Sequence, residues 1–179
     1  MENRRLYLAY GSNLSLEQMA LRCPDALPVG TAEISGYHLL FKGSGTGSYL
    51  TIEPKRRAKV PVAVWQVSEA DEKRLDRYEG YPKFYYKKEL DLNAASLLDP
   101  DLKMKIHAFV YIMHEDHECG CPTGFYYQTC FDGYCRFGFD PLFLDKALKD
   151  SGLSLDERKR LLHAAIELEQ DNRQRRRAV

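Results

Sequence analysis

Tyr7-Leu8-Ala9-Tyr10-Gly11-Ser12-Asn13-Leu14 lies close to the start of this 179-residue chain. Its first half is apolar and tyrosine-rich, which predicts a strand over Leu6–Tyr10. Gly11-Ser12-Asn13 then supplies turn chemistry. Directly after it, Ser15-Leu16-Glu17-Gln18 sets a capping serine three residues ahead of a glutamine. A short helix is therefore expected over Leu16–Arg22, ended by Cys23-Pro24. A strand that turns into a helix N-terminus gathers backbone N–H groups around one point, and such a point binds anions, carboxylates included. The same residues would also serve a turn with no ligand at all.

Reading outward, Val29–Ile34 and Tyr37–Lys42 are β-rich and separated by Ser35-Gly36, a hairpin signal. Gly43-Ser44-Gly45-Thr46-Gly47-Ser48 reads as a flexible loop. It lacks the Gly-Lys-Ser or Gly-Lys-Thr and the helix start of a phosphate loop. Tyr49–Glu53 and Val60–Val67 resume strand character, the second with Pro61 near its beginning. Ser68-Glu69-Ala70-Asp71 is a second capping box, opening a helix through Tyr78 with Gly80 as its C-cap. Strands are expected over Phe84–Leu92 and Ile106–Met113, with a loop at 93–104 between them. Pro122–Tyr134 reads as a helix or turns, and Ser154–Arg173 as an amphipathic helix. Strands and helices do not alternate regularly, so a doubly wound nucleotide-binding fold is disfavoured. The expected class is α+β, a compact mixed sheet or barrel of six to seven strands with a few flanking helices. The expected organisation is one domain over residues 1–145 and a C-terminal helical extension, 146–179, packed on it or trailing it.

Composition narrows the function. The 26 basic and 26 acidic residues cancel, so no global field draws the chain to nucleic acid or membrane. The basic Arg173–Arg177 tail reads as a solvated helix end rather than a nucleic-acid contact. No apolar run is long enough to span a bilayer, and Met1-Glu2-Asn3-Arg4-Arg5 lacks an apolar signal core, so the cytoplasm is expected. Five cysteines, an odd number, argue against a disulfide scaffold.

Glu79 is the carboxylate of interest. It falls in the last turn of its expected helix, where the negative end of the dipole disfavours an anion. Tyr78, Tyr81, Phe84 and Tyr85 surround it in sequence and would exclude water. Both effects raise a carboxyl pKa toward the range of a general base. The alternative is a surface glutamate among Glu69, Asp71, Glu72 and Asp76. Two other chemistries compete. His114-Glu115-Asp116-His117-Glu118-Cys119-Gly120-Cys121, with His107 nearby, is dense in zinc ligands but fits no standard spacing. A thiol enzyme would need a cysteine beside a base at a helix start, and the sequence offers no convincing one.

Tyr10-Gly11-Ser12-Asn13-Leu14 followed by Tyr78-Glu79-Gly80-Tyr81-Pro82 resembles the gamma-glutamylcyclotransferase-like superfamily. The first motif resembles the family's substrate loop and the second its catalytic glutamate. Asn13 resembles the gamma-glutamylcyclotransferase and AIG2-like branch, since the glutathione-specific branch tends to have leucine there. The likeness continues through Ala108-Phe109-Val110-Tyr111-Ile112 to Tyr127, Gly133-Tyr134 and Gly138-Phe139. It implies a barrel-like mixed fold, no cofactor, no metal and a small-molecule gamma-glutamyl substrate. It implies Glu79 as the catalytic acid and base, with Tyr10, Gly11, Ser12, Asn13, Leu14, Tyr111 and Tyr127 binding substrate. The implied reaction is cyclisation: the substrate's α-amine attacks its own γ-carbonyl and releases 5-oxoproline and an amine. A non-catalytic binding module on the same fold is the remaining alternative. Neither the leaving amine nor the oligomeric state is written in these motifs.

Overall fold

Strands β1 (Arg5–Ala9), β2 (Leu27–Ser44), β3 (Gly47–Val67), β4 (Tyr85–Ser96), β5 (Lys103–Met113) and β6 (Glu118–Cys119) form one sheet in the computed structural model, which describes residues 4–44 and 47–177. The order is β3-β1-β5-β4-β2-β6, and β2 also pairs with β3. The first five strands therefore close into a barrel, with β6 as an added edge. The β1–β5 pair is parallel and the other pairs are antiparallel. Around the barrel lie a 3-10 turn (Ser12–Leu14) and helices α1 (Leu16–Arg22), α2 (Glu69–Tyr78), α3 (Gly124–Arg136), α4 (Leu142–Asp150) and α5 (Leu155–Arg177). This is the expected α+β barrel with flanking helices. Among the described residues, no helix is long and apolar enough to cross a membrane.

The local signals hold where capping chemistry is strong. Ser15 accepts from the Gln18 N–H at the start of α1. Ser68 and Asp71 bond reciprocally at the start of α2. The strand boundaries need correction. Ser35-Gly36 is not a hairpin turn, because β2 runs straight through it as one strand. Gly36 has φ +80°, and the register with β3 jumps from Ser35–Lys59 to Tyr37–Pro54. A bulge of this kind shifts the inward-facing parity. Ala32 and Ile34 are buried before it, Leu39 and Phe41 after it. Likewise the two strands expected over 49–53 and 60–67 are one, β3, bridged by an exposed stretch opposite the bulge. Long, bent strands are what closing a small barrel requires.

The loop expected over 43–48 is largely strand. Gly43 pairs with Ser48, and residues 45–46 lie outside the described residues. A Cβ on Gly43 would fall 1.9 Å from the Gly47 carbonyl oxygen, so only glycine permits that approach. The loop expected over 93–104 shrinks to 97–102, because polar arms such as Asn93 and Lys105 pair across β4 and β5. Their stabilisation comes from ladder bonds rather than burial, which hydrophobic periodicity does not report.

Pro122–Tyr134 resolves into helix α3, capped by Thr123, which accepts from the Tyr126 N–H. Helix α4 has no counterpart in the sequence reading. It packs Leu144, Ala147 and Leu148 into the barrel core, and the domain boundary expected after residue 145 falls inside it. Ala165 of α5 belongs to the same core. The side chains of Arg173 and Arg175–Arg177 lie outside the described residues.

Helix α3 crosses directly over the 3-10 turn. A Cβ on Gly133 would sit 2.5 Å from the Leu14 Cβ and 3.3 Å from the Leu14 carbonyl carbon. Gly133→Val is therefore expected to destabilise the fold by about 2–3 kcal/mol, the cost of overpacking a filled interior. Urea denaturation of both proteins measures it; equal midpoints would mean that α3 does not press on this turn.

Candidate active site

Helix α2 ends in a Schellman turn. The Tyr81 N–H donates to the Asp76 carbonyl (2.9 Å) and the Gly80 N–H to that of Arg77 (3.3 Å). Gly80, with φ +65°, is the left-handed residue this turn demands. The C-cap itself is Glu79, one residue earlier than the sequence suggests. The turn directs the Glu79 side chain toward the 3-10 turn that follows β1. Asn13 Nδ2 donates to Glu79 Oε1 (2.9 Å), joining residues 66 apart in sequence. The same nitrogen donates to the Tyr7 hydroxyl (2.9 Å), and Arg22 Nη1 donates to Asn13 Oδ1 (2.6 Å).

Glu79, Asn13 and Tyr7 line a cavity of about 30 Å³. Tyrosines from four elements form its walls, and most of their hydroxyls are already committed. Tyr10 donates to the Tyr111 carbonyl (2.6 Å), Tyr111 to Asp76 Oδ1 (2.6 Å) and Tyr85 to the Leu50 carbonyl (3.0 Å). The Leu50 N–H donates to the Tyr126 hydroxyl (3.0 Å). Fixed rings of this kind give a rigid, water-poor wall. Burial pushes the Glu79 carboxyl up to about 7; the Arg22 charge and the Asn13 hydrogen bond work against it. Burial likewise raises the phenols of Tyr7, Tyr10, Tyr85, Tyr111 and Tyr126, so all are neutral near pH 7. Glu79 is thus the group at this cavity whose charge changes near neutral pH.

Of the residues expected at the site, Tyr10, Gly11, Ser12, Asn13, Glu79 and Tyr111 line this cavity. Two do not. The Leu14 side chain is fully buried against Gly133, and its N–H is taken by the Gly11 carbonyl (2.9 Å). The amide donors of the turn are therefore those ahead of Leu14, since the first N–H groups of a helical turn have no partner within it. Tyr127 points into the core against Phe41 and Phe131. Its neighbour Tyr126 lines the cavity instead, because successive helix residues face directions about 100° apart. Tyr85, one of the rings expected to shield Glu79, lines the cavity as well. Tyr7, Leu50 and Arg22 are further site residues the sequence reading misses. Tyr7 was open to detection from its place in the strand ahead of the turn; no pattern in one dimension marks the other two.

The rival chemistries find no support in the geometry. His114 bonds the Pro82 carbonyl (2.8 Å), His117 packs on Phe84, and Cys119 is held in the β2–β6 pair. Among the described residues, no three His, Cys, Asp or Glu side chains are grouped to hold a metal ion. Burial pushes the thiols of Cys23 and Cys130 up to about 12, the opposite of an activated nucleophile.

The closed five-stranded barrel is a fold shared with solved structures. A solved structure described as gamma-glutamyl cyclotransferase superposes with a TM-score of 0.62, at 24% identity over 89% of this chain and 86% of that one. The family model for gamma-glutamyl cyclotransferase, AIG2-like, matches residues 7–129, and the chain belongs to that family. An uncharacterized Homo sapiens protein gives a TM-score of 0.61 at 25% identity, covering 89% of this chain and 87% of its own. A protein from Arabidopsis thaliana gives 0.52 at 19% identity, covering 97% and 83%. No curated protein matches the sequence.

Proposed function

We propose that the protein is a gamma-glutamylcyclotransferase in which Glu79 moves the protons. The observation that carries this is the half-buried Glu79, whose carboxyl is held by Asn13 Nδ2 at a cavity lined by Gly11, Ser12 and tyrosine rings; burial there pushes it up to about 7. The substrate's α-amino group is largely protonated at neutral pH and cannot attack in that form. Glu79 takes one proton from the ammonium. The neutral amine attacks the γ-carbonyl carbon of the same molecule, forming a tetrahedral oxyanion. Glu79 gives that proton to the leaving nitrogen and takes the second one from the ring nitrogen. The oxyanion collapses, the C–N bond to the leaving amine breaks, and the freed amine accepts the second proton from Glu79. Water is neither consumed nor needed, which suits a tyrosine-walled site. Asn13 donates to Oε1 of the Glu79 carboxylate, which leaves Oε2 as the oxygen offered to substrate. The turn amides are donors for a substrate anion. Holding the glutamyl chain folded supplies the proximity on which ring closure depends.

The test is a screen for 5-oxoproline release across gamma-glutamyl amino acids, gamma-glutamyl-lysine-type amines and glutathione. Binding detected by thermal shift with no product from any of them would replace the enzyme with a binding module. For an active substrate, kcat/KM is expected to rise with pH through about 7. Below that pH Glu79 already carries a proton and cannot accept one; above it the carboxylate is the base. A profile flat from pH 6 to 8 would place the titrating base elsewhere.

A further inference from the structure

We propose that Arg22 is a positioning residue for Glu79, acting through the side chain of Asn13. This deepens the reading of the site given above and rests on it. A carboxamide presents a donor on one side and an acceptor on the other, and only one orientation lets Asn13 donate to Glu79. Arg22 has donors and no acceptor. Its Nη1, 2.6 Å from Asn13 Oδ1, is satisfied by that orientation alone. The flipped amide would set Oδ1 against a carboxylate oxygen and an N–H₂ group against the guanidinium. Arg22 thus holds Nδ2 toward Glu79 Oε1 and the Tyr7 hydroxyl.

Arg22 is itself anchored. Its guanidinium lies over the Tyr78 ring, 3.7 Å from the centroid, and Tyr78 immediately precedes Glu79. The last residue of α1 therefore ties the 3-10 turn to the end of α2. The titratable groups facing Glu79 or its cavity are Tyr7 and Tyr10 from β1 and its end, Cys23 after α1, Tyr85 from β4, Tyr111 from β5, Tyr126 from α3 and Arg22. Of these, Arg22 alone is charged at neutral pH. It opposes the burial that favours the protonated carboxyl, both by its own charge and by keeping the Asn13 donor in place.

The experiment uses the full chain with Arg22→Met, Arg22→Lys and Asn13→Ala, singly and with Arg22→Met and Asn13→Ala combined. One readout needs no turnover: the ¹³C shift of the Glu79 carboxyl against pH, assigned by its loss in Glu79→Gln. The other is the pH profile of 5-oxoproline release. Arg22→Met is expected to raise the Glu79 midpoint by at least about half a unit. The acid limb of kcat/KM should move with it, and activity should return at high pH. Arg22→Lys keeps the charge without the planar fork and should titrate between the two. The double variant should shift by less than the sum of the singles, since both act on one contact. An unchanged midpoint in Arg22→Met, or shifts that add in full, would overturn the proposal. So would activity lowered equally at every pH. If Arg22→Met does not fold, an unchanged midpoint in Arg22→Lys counts against it in the same way. If the wild-type protein releases no 5-oxoproline, the functional reading fails, while the carboxyl titration still decides the role of Arg22.

Discussion

Glu79→Gln is expected to lower 5-oxoproline release by about 10²–10⁴-fold, the usual contribution of a positioned general acid or base. Glutamine keeps the length of the side chain and an oxygen to accept from Asn13 Nδ2, so the cavity retains its shape. What it loses is a group able to take a proton from an ammonium. The walls cannot substitute, because the surrounding tyrosines are raised above their usual range and their hydroxyls bond Asp76 and backbone carbonyls. Binding of a gamma-glutamyl ligand should persist, since the turn amides are untouched. The fall should therefore appear mainly in kcat. A variant that cyclises at the wild-type rate would remove Glu79 from the mechanism.

The same substitution should stabilise the protein at alkaline pH. The Glu79 carboxyl is raised from 4.5 to about 7 in the folded protein. Between those values the folded state binds a proton that the unfolded chain has released. The stabilisation linked to this proton is fully present below about 4.5 and is lost as pH rises through 7. A shift of that size corresponds to roughly 3 kcal/mol. Glutamine has no such titration. Subtracting the unfolding free energies of the two proteins should leave a difference that moves by about 3 kcal/mol in favour of Glu79→Gln between pH 4 and pH 8. Other ionisable groups are common to both proteins and cancel. A difference that is level across this range would mean that the carboxyl is open to water. Activity and stability are thus opposed at one residue, as expected where a charge is kept in an apolar place for its chemistry.

Two kinds of information meet in this site. The limits of α1 and α2, the role of Ser15 and Ser68 as caps, and the left-handed Gly80 beside Glu79 were all legible in the chain. Each depends on residues within four positions of one another, where capping bonds and glycine's backbone freedom act without help from the fold. Tyr10–Asn13 and Glu79 were legible as candidates for the same reason. Leu14 and Tyr127 were misplaced because their type suited the site while their direction did not: α3 and the core took both side chains.

Strand continuity belongs to the second kind. Gly36 in isolation looks like a turn, and it becomes a bulge only because β3 lies alongside to receive the shifted register. The five-stranded closure brings β1, β4 and β5 to a common wall, so Tyr7, Tyr85 and Tyr111 face one carboxylate although no periodicity relates them. The link from Arg22 through Asn13 to Glu79 crosses from α1 by way of the 3-10 turn to α2. By itself, then, the sequence determined which short segments could carry the chemistry, because those segments are shaped by neighbours along the chain. Only the tertiary structure decided which side chains share the cavity and how strongly the acid is held, because burial and charge act through space between residues the chain keeps far apart.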